Sequence, residues 1–107
     1  MIDRKTLPAC PVEITLAYLG DKWKILIFRD LLTGTKRFNQ LLKSLAPISQ
    51  KVLTSNLRTL ENNGIIERKV YPVVPPKVEY SLTEFGLTLK PVLDAMKAWG
   101  NKIIEAK

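Results

Sequence analysis

Gln50, Lys51, Thr54, Ser55 and Arg58 put an amide, an ammonium, two hydroxyls and a guanidinium one, three and four residues apart. At that spacing they share one side of a helix. None of these groups is a general base. They are hydrogen-bonding groups that suit base edges and cations that suit phosphate. Behind them Leu53, Leu57 and Leu60 are spaced four and three, a buried stripe. Lys51, Ser55, Arg58 and Asn62 fall opposite that stripe, with Gln50 and Thr54 on the flank. Ser49 stands ahead of the run as an N-cap whose hydroxyl can accept an exposed backbone N–H. Gly64, just past Asn63, permits the left-handed turn that often ends a helix. The predicted helix spans about 49–63.

A shorter helical pattern precedes it. Leu41, Leu42 and Leu45 lie on one face, Asn39 is a suitable cap, and the break at Ala46-Pro47-Ile48 contains a proline that cannot continue a helix without losing a hydrogen bond. Helix, tight turn and second helix with a polar outer face make the helix-turn-helix plan. Any helix pair on a folded domain has a polar outer face, so the distribution of charge matters more than the pair. The chain has 107 residues and a formal charge of +7. Lys36 to Lys77 holds eight basic residues and two acidic ones, so +6 of the +7 sits on the helix pair and the segment after it. Such clustering is the footprint of a polyanion site. An anionic membrane surface fits less well, because the cations do not line one amphipathic helix with aromatic anchors.

From 65 to 82 the pattern changes to strands. Ile66 and Val70 can share a face, and Val78, Tyr80 and Leu82 alternate strictly. Pro72, Pro75 and Pro76 lie between the two runs and exclude a sheet interior there. Two antiparallel strands joined by a stiff loop and carrying Arg68, Lys69 and Lys77, with Arg37 nearby, read as a basic wing after a recognition helix. The competing account is an ordinary hairpin packed on the core.

These elements need a scaffold. Cys10-Pro11 opens a helix, since proline fits a first turn; Val12, Leu16 and Leu19 give it a stripe, and Gly20 ends it. Asp21 caps a second helix so apolar (Trp23, Ile25, Leu26, Ile27, Phe28, Leu31, Leu32) that it belongs at the centre of a core. Thr83 caps a long final helix, about 83–106, in which Phe85, Leu89, Val92, Met96, Trp99 and Ile103 form a continuous seam. Pro91 falls off the seam and is expected to bend the helix. One small domain does not need that much seam. The first half is expected to cover the domain, and Met96, Trp99 and Ile103 a second copy of the chain. The length supports one domain with one core. Residues 1–9 are expected to be an extension and 10–107 the domain, mainly α with a small β-hairpin (α+β).

Several function classes lack their residues. The chain contains no histidine and one cysteine, which removes the commonest general base and any thiolate metal site. There is no glycine-rich phosphate loop and no convincing carboxylate pair. The expectation is a non-enzyme with no metal and no cofactor. No apolar run approaches the roughly 20 residues that span a bilayer, and MIDRKTLPA has no signal-peptide core; a cytoplasmic location is the default.

CPVE, GDKWK, RF, ISQKVLT, L-x-x-L-x-x-x-G and VYPxVPPKVEYSLTxxG occur in this order from Cys10 onward, and the resemblance they carry extends to about Trp99. In these motifs the chain resembles the HxlR-type winged helix-turn-helix transcriptional regulators, with a MarR-like fold. The resemblance implies a homodimer built from N- and C-terminal helices that binds double-stranded operator DNA. In parts of that family a cysteine at the position of Cys10 senses oxidants or electrophiles. The physics of Cys10 is compatible with this: the first turn of a helix favours an anion such as a thiolate. With one cysteine per chain, a disulfide can form only to another chain or to a small thiol. The alternative is a small side chain packing the dimer seam. Two other functions stand beside the operator-binding regulator. One is a ligand-responsive regulator with a seam pocket lined by Trp23, Phe28 or Trp99. The other is an interaction adaptor that does not read DNA, which would have no need of Lys51, Arg58 and Lys77 on one side.

Overall fold

A computed structural model of the chain describes residues 2–106. The helical pattern expected over about 49–63 forms as the sequence predicts. Helix α4, Gln50–Asn62, follows Ser49, whose Oγ accepts the Val52 N–H at 3.1 Å, and Gly64 turns the chain out of it at φ 78°. Helices α1 (Pro11–Leu19) and α2 (Lys22–Leu31) precede it, with Cys10 and Asp21 as N-caps and Pro11 in the first turn. The short α3, Phe38–Ser44, leads into the turn that holds a cis Ala46–Pro47 bond.

The start of α3 differs from the sequence expectation. Arg37, in extended conformation, is its N-cap and Asn39 lies inside the helix. The Gln40 side chain accepts the Arg37 N–H at 2.8 Å, so the amide three residues on replaces the cap expected from Asn39.

Strands β1 (Ile66–Tyr71) and β2 (Lys77–Leu82) pair antiparallel, in register from Ile66 opposite Leu82 to Tyr71 opposite Lys77. Lys36 adds a bridge to Tyr80, so the segment before α3 touches the hairpin's outer edge. Directly opposed residues share a face. Ile66, Arg68 and Val70 therefore lie on one side with Leu82, Tyr80 and Val78. Glu67, Lys69 and Tyr71 lie on the other with Ser81, Glu79 and Lys77.

The predicted single helix over about 83–106 is two helices. Thr83 does cap, its Oγ1 accepting the Gly86 N–H at 2.9 Å, but α5 is only Glu84–Leu87 and α6 runs Lys90–Glu105. Pro91 has no N–H to give the Leu87 carbonyl, so it cannot sit inside a helix that continues from α5. It occupies the first turn of α6 instead, where that loss is harmless. Thr88 and Leu89 keep helical dihedrals and bond back to Phe85 and Gly86, so the apolar repeat continues across the break.

The core lies where α2, α3, α4 and the start of the hairpin meet. Ile27, Phe28, Leu41, Leu53, Leu57, Leu60, Ile65 and Ile66 are fully buried. At roughly 1.5–3 kcal/mol for each large apolar side chain, this cluster fixes the inner face of α4 and so determines which residues face outward. Ile65 also bonds through its carbonyl to the Thr83 N–H. Gly86 sits against that carbonyl, and a Cβ there would come within 2.1 Å of the oxygen. Tyr18 meets Phe85 edge to face at 5.5 Å, joining α1 to α5. The first residues pack on the domain: Ile2 is part of the core's margin and donates its N–H to Asn63 Oδ1, and Arg4 lies 5.1 Å above the Phe85 ring.

Candidate nucleic-acid interface

Helix α4 presents Gln50, Lys51, Ser55 and Arg58 to solvent, with Thr54 half-buried among them. Together with Thr59, which sequence reasoning did not single out, they line one shallow concavity of about 560 Å³ along the helix. Among the described residues no carboxylate lies within 4 Å of Lys51 or Arg58. Their charge is therefore free to act outward. Ser49 is exposed, but its hydroxyl is occupied by the cap.

The basic residues of the hairpin fall into two groups. Arg68 faces α4 and pairs with Glu61, Nε to Oε1 3.7 Å, in a second concavity of about 240 Å³ lined also by Thr54, Leu57, Arg58 and Tyr80. Both partners are well exposed, so the pair is worth little as stability. Burial pushes the Tyr80 hydroxyl above its ordinary value; the charges of Arg68 and Arg58 pull it down and Glu61 pushes it further up. Lys69 and Lys77 lie on the opposite face, each just under 5 Å from the Tyr71 ring centroid. Lys77 Nζ is also 3.4 Å from Glu79 Oε2. Tyr71 first, and then Lys77 with its charge, hold the Glu79 carboxyl below its usual range. Lys77 further shares a concavity with Arg37, Phe38 and Gln40, so the start of α3 and the hairpin tip bring Arg37 and Lys77 together. Sequence order alone could not separate Arg68 from Lys69, because the separation follows from strand register.

An apolar flank lies apart from these cations. Met96, Trp99, Ile103 and Ile104 of α6 are exposed, and so are Val12 and Leu16 of α1. The predicted Val12–Leu16–Leu19 stripe buries only Leu19 and, beside it, Tyr18. Leu16, Leu19, Ile25, Val92 and Met96 line a cleft of about 130 Å³, so α1 and α6 share one apolar surface. Cys10, at the head of α1, is exposed on the single chain. Of the residues expected to line a seam pocket, Phe28 is fully buried in the core of the single chain and Trp99 is 66% exposed on the last helix. Among the described residues no cluster of three metal-ligating side chains occurs, and no helix is long and apolar enough to cross a membrane.

Comparison with known proteins agrees with this arrangement. A family described as "HxlR-like helix-turn-helix" matches residues 18–107. The uncharacterized HTH-type transcriptional regulator YdeP of Bacillus subtilis is 56% identical over 93 residues, 87% of this chain and 73% of that protein. The solved structure of the redox regulator HypR in its reduced form superposes with a TM-score of 0.84 at 48% identity, covering 92% of this chain and all of that one. A transcriptional regulator of the MarR family from Enterococcus faecalis V583 superposes at 0.79 with 33% identity, over 99% of this chain and 93% of that one. Two helices joined by a tight turn, a basic hairpin packed behind them and relatives of this kind along the whole domain have one explanation: the chain is a winged helix-turn-helix protein and belongs to the HxlR-like family of transcriptional regulators.

Proposed function

We propose that the protein works as a homodimer that binds an operator, with α4 in the major groove and the hairpin on the adjacent backbone. The observation that carries this is the outer face of α4, where Lys51 and Arg58 lack acidic partners among the described residues and stand beside Gln50, Thr54 and Ser55. The N-terminal residues of a recognition helix go deepest, so Gln50, Lys51, Thr54 and Ser55 read base edges, and Arg58, a turn further on, reaches phosphate or a guanine edge. Arg37, Arg68, Lys69 and Lys77 supply the sequence-independent contacts. A duplex enriched by the wild-type protein from a random-sequence library tests the assignment. Lys51→Ala/Arg58→Ala should lose most of the affinity for that duplex, and equal affinity would remove α4 from the interface.

The second copy docks through α1 and α6 in this reading; the exposure of Met96, Trp99 and Ile103, and of Val12 and Leu16 beside them, supports these as seam residues. Regulation through Cys10 by an oxidant or electrophile is a further part of the proposal. It is supported by the thiol's exposure at the head of α1, next to the shared apolar surface, and by the redox regulator among the structural relatives. Diamide should weaken duplex binding by wild type and not by Cys10→Ser; equal loss in both would leave Cys10 as a surface residue only. A small-molecule effector is the weaker reading, because the seam cleft is well below the roughly 300–1,000 Å³ of drug-sized sites.

A further inference from the structure

Helix α4 meets α2 across an apolar face that contains Ile27, Phe28, Leu53, Leu57 and Leu60. One polar side chain, Asn56, is buried in it, at 7% exposure. Its amide is satisfied on both sides. Oδ1 accepts from Lys24 Nζ at 3.0 Å, and Nδ2 donates to the Val52 carbonyl at 2.9 Å, in the first turn of α4. An ammonium can only donate and a carbonyl only accept, so the amide has one workable orientation. Lys24 is itself held. Its Nζ donates to Asp21 Oδ2 at 2.6 Å, and Asp21 Oδ1 accepts the N–H groups of Trp23 and Lys24 at 2.8 and 3.0 Å. A continuous chain of hydrogen bonds thus runs from the cap of α2 to the backbone of α4.

A purely apolar face tolerates small rotations and slips, whereas a buried polar contact is satisfied in one geometry. Small rotations matter on this helix. With side-chain tips about 5–6 Å from the axis, a turn of roughly 10° moves them by about 1 Å, enough to break a hydrogen bond to a base. Lys24 cannot substitute for this by touching DNA. It lies on α2, behind α4, with its side chain 17% exposed and its ammonium engaged by Asp21 and Asn56.

We propose that Lys24 and Asn56 are positioning residues for the recognition helix: their contact sets its rotation and register on α2, and so sets sequence discrimination by Gln50, Lys51, Thr54 and Ser55. The inference rests on α4 reading DNA as proposed above.

The experiment compares affinity for the duplex enriched by the wild-type chain with affinity for a shuffled duplex of the same composition. It is run on Lys24→Met, Lys24→Arg, Asn56→Leu and the double variant Lys24→Met/Asn56→Leu, each also unfolded in urea. The single changes to Met and Leu should lower the ratio of the two affinities roughly tenfold or more, the loss of about one base contact. The shuffled-duplex affinity and the salt slope should stay as in wild type. Lys24→Arg should restore part of the ratio. The double variant is decisive, because exchanging a buried polar pair for apolar groups commonly leaves stability intact. Discrimination should stay low there while stability recovers. If discrimination recovers together with stability, the pair only holds the fold together and the proposal is wrong. A reduced salt slope in Lys24→Met would mean that Lys24 touches phosphate, which also overturns it. Should the wild-type chain enrich no sequence at all, the failure lies in DNA reading by α4, and this inference falls with it.

Discussion

Truncating Trp99 tests the seam quantitatively. Trp99 is 66% exposed on α6 and contributes nothing to the core cluster. Complete burial of a large apolar side chain is worth about 1.5–3 kcal/mol. The exposed two thirds therefore leaves about 1–2 kcal/mol to be gained against a partner. A two-fold interface loses it twice, so Trp99→Ala should cost about 2–4 kcal/mol of association. That is a roughly 30- to 700-fold rise in the dimer dissociation constant. Sedimentation equilibrium over a concentration series measures the constant. Unfolding of the dilute variant should match that of dilute wild type, because the domain's own packing does not use the ring. An unchanged constant, or a wild-type chain that is monomeric at micromolar concentration, would refute the seam.

Three further outcomes are expected. Lys77→Ala should weaken binding to all duplexes about equally and reduce the slope of log affinity against log salt by about one, one phosphate fewer; identical slopes would take the hairpin tip off the backbone. Gly86→Ala should lose about 1–3 kcal/mol in urea unfolding, since its Cβ would press on the Ile65 carbonyl from 2.1 Å, and an unperturbed midpoint would contradict that packing. Asp21→Asn should flatten the acid limb of the stability profile. Burial raises the Asp21 carboxyl, but hydrogen bonds from Lys24, its charge and the Trp23 N–H outweigh it and hold the group below its ordinary 3.8. A carboxyl lowered in the folded state contributes stability that is fully present above 3.8 and is lost as pH falls through the folded value. An acid limb with the same slope in both proteins would show that Asp21 does not titrate with unfolding.

The features legible in the sequence are local or periodic. Ser49, Asp21 and Thr83 cap helices as expected because a cap uses side chain and backbone within three residues. The 4-3 leucine stripe of α4 is buried because the period fixes a face. The break between α5 and α6 is hidden by the same logic: Thr88 and Leu89 stay near helical, so the repeat counts straight through it. Val12 and Leu16 have the spacing of a buried stripe, yet α2 and α4 already supply the core beneath them, and period alone does not say which side of a surface a stripe faces. Strand register, which separates Arg68 from Lys69, and the Lys24–Asn56 contact across 32 positions are tertiary facts with no local signature.

The two unpartnered surfaces of the molecule are different in kind, and this bears on how one small domain could select a site. A single DNA-binding module buries roughly 600–1,000 Å² of its own surface, at the low end for specific recognition. A cation placed on backbone phosphate, as proposed for Lys77, raises affinity for every duplex alike. On the proposed reading, selectivity comes from the few polar groups in the N-terminal half of α4 and from repetition of that reading by a second copy. The apolar flank of α1 and α6 carries no cation from the α4 face, so covering it leaves the DNA face untouched. The α1–α2 junction lies between the two surfaces: Leu19 lines the seam cleft, and two residues later Asp21 begins the chain of hydrogen bonds that ends on the backbone of α4.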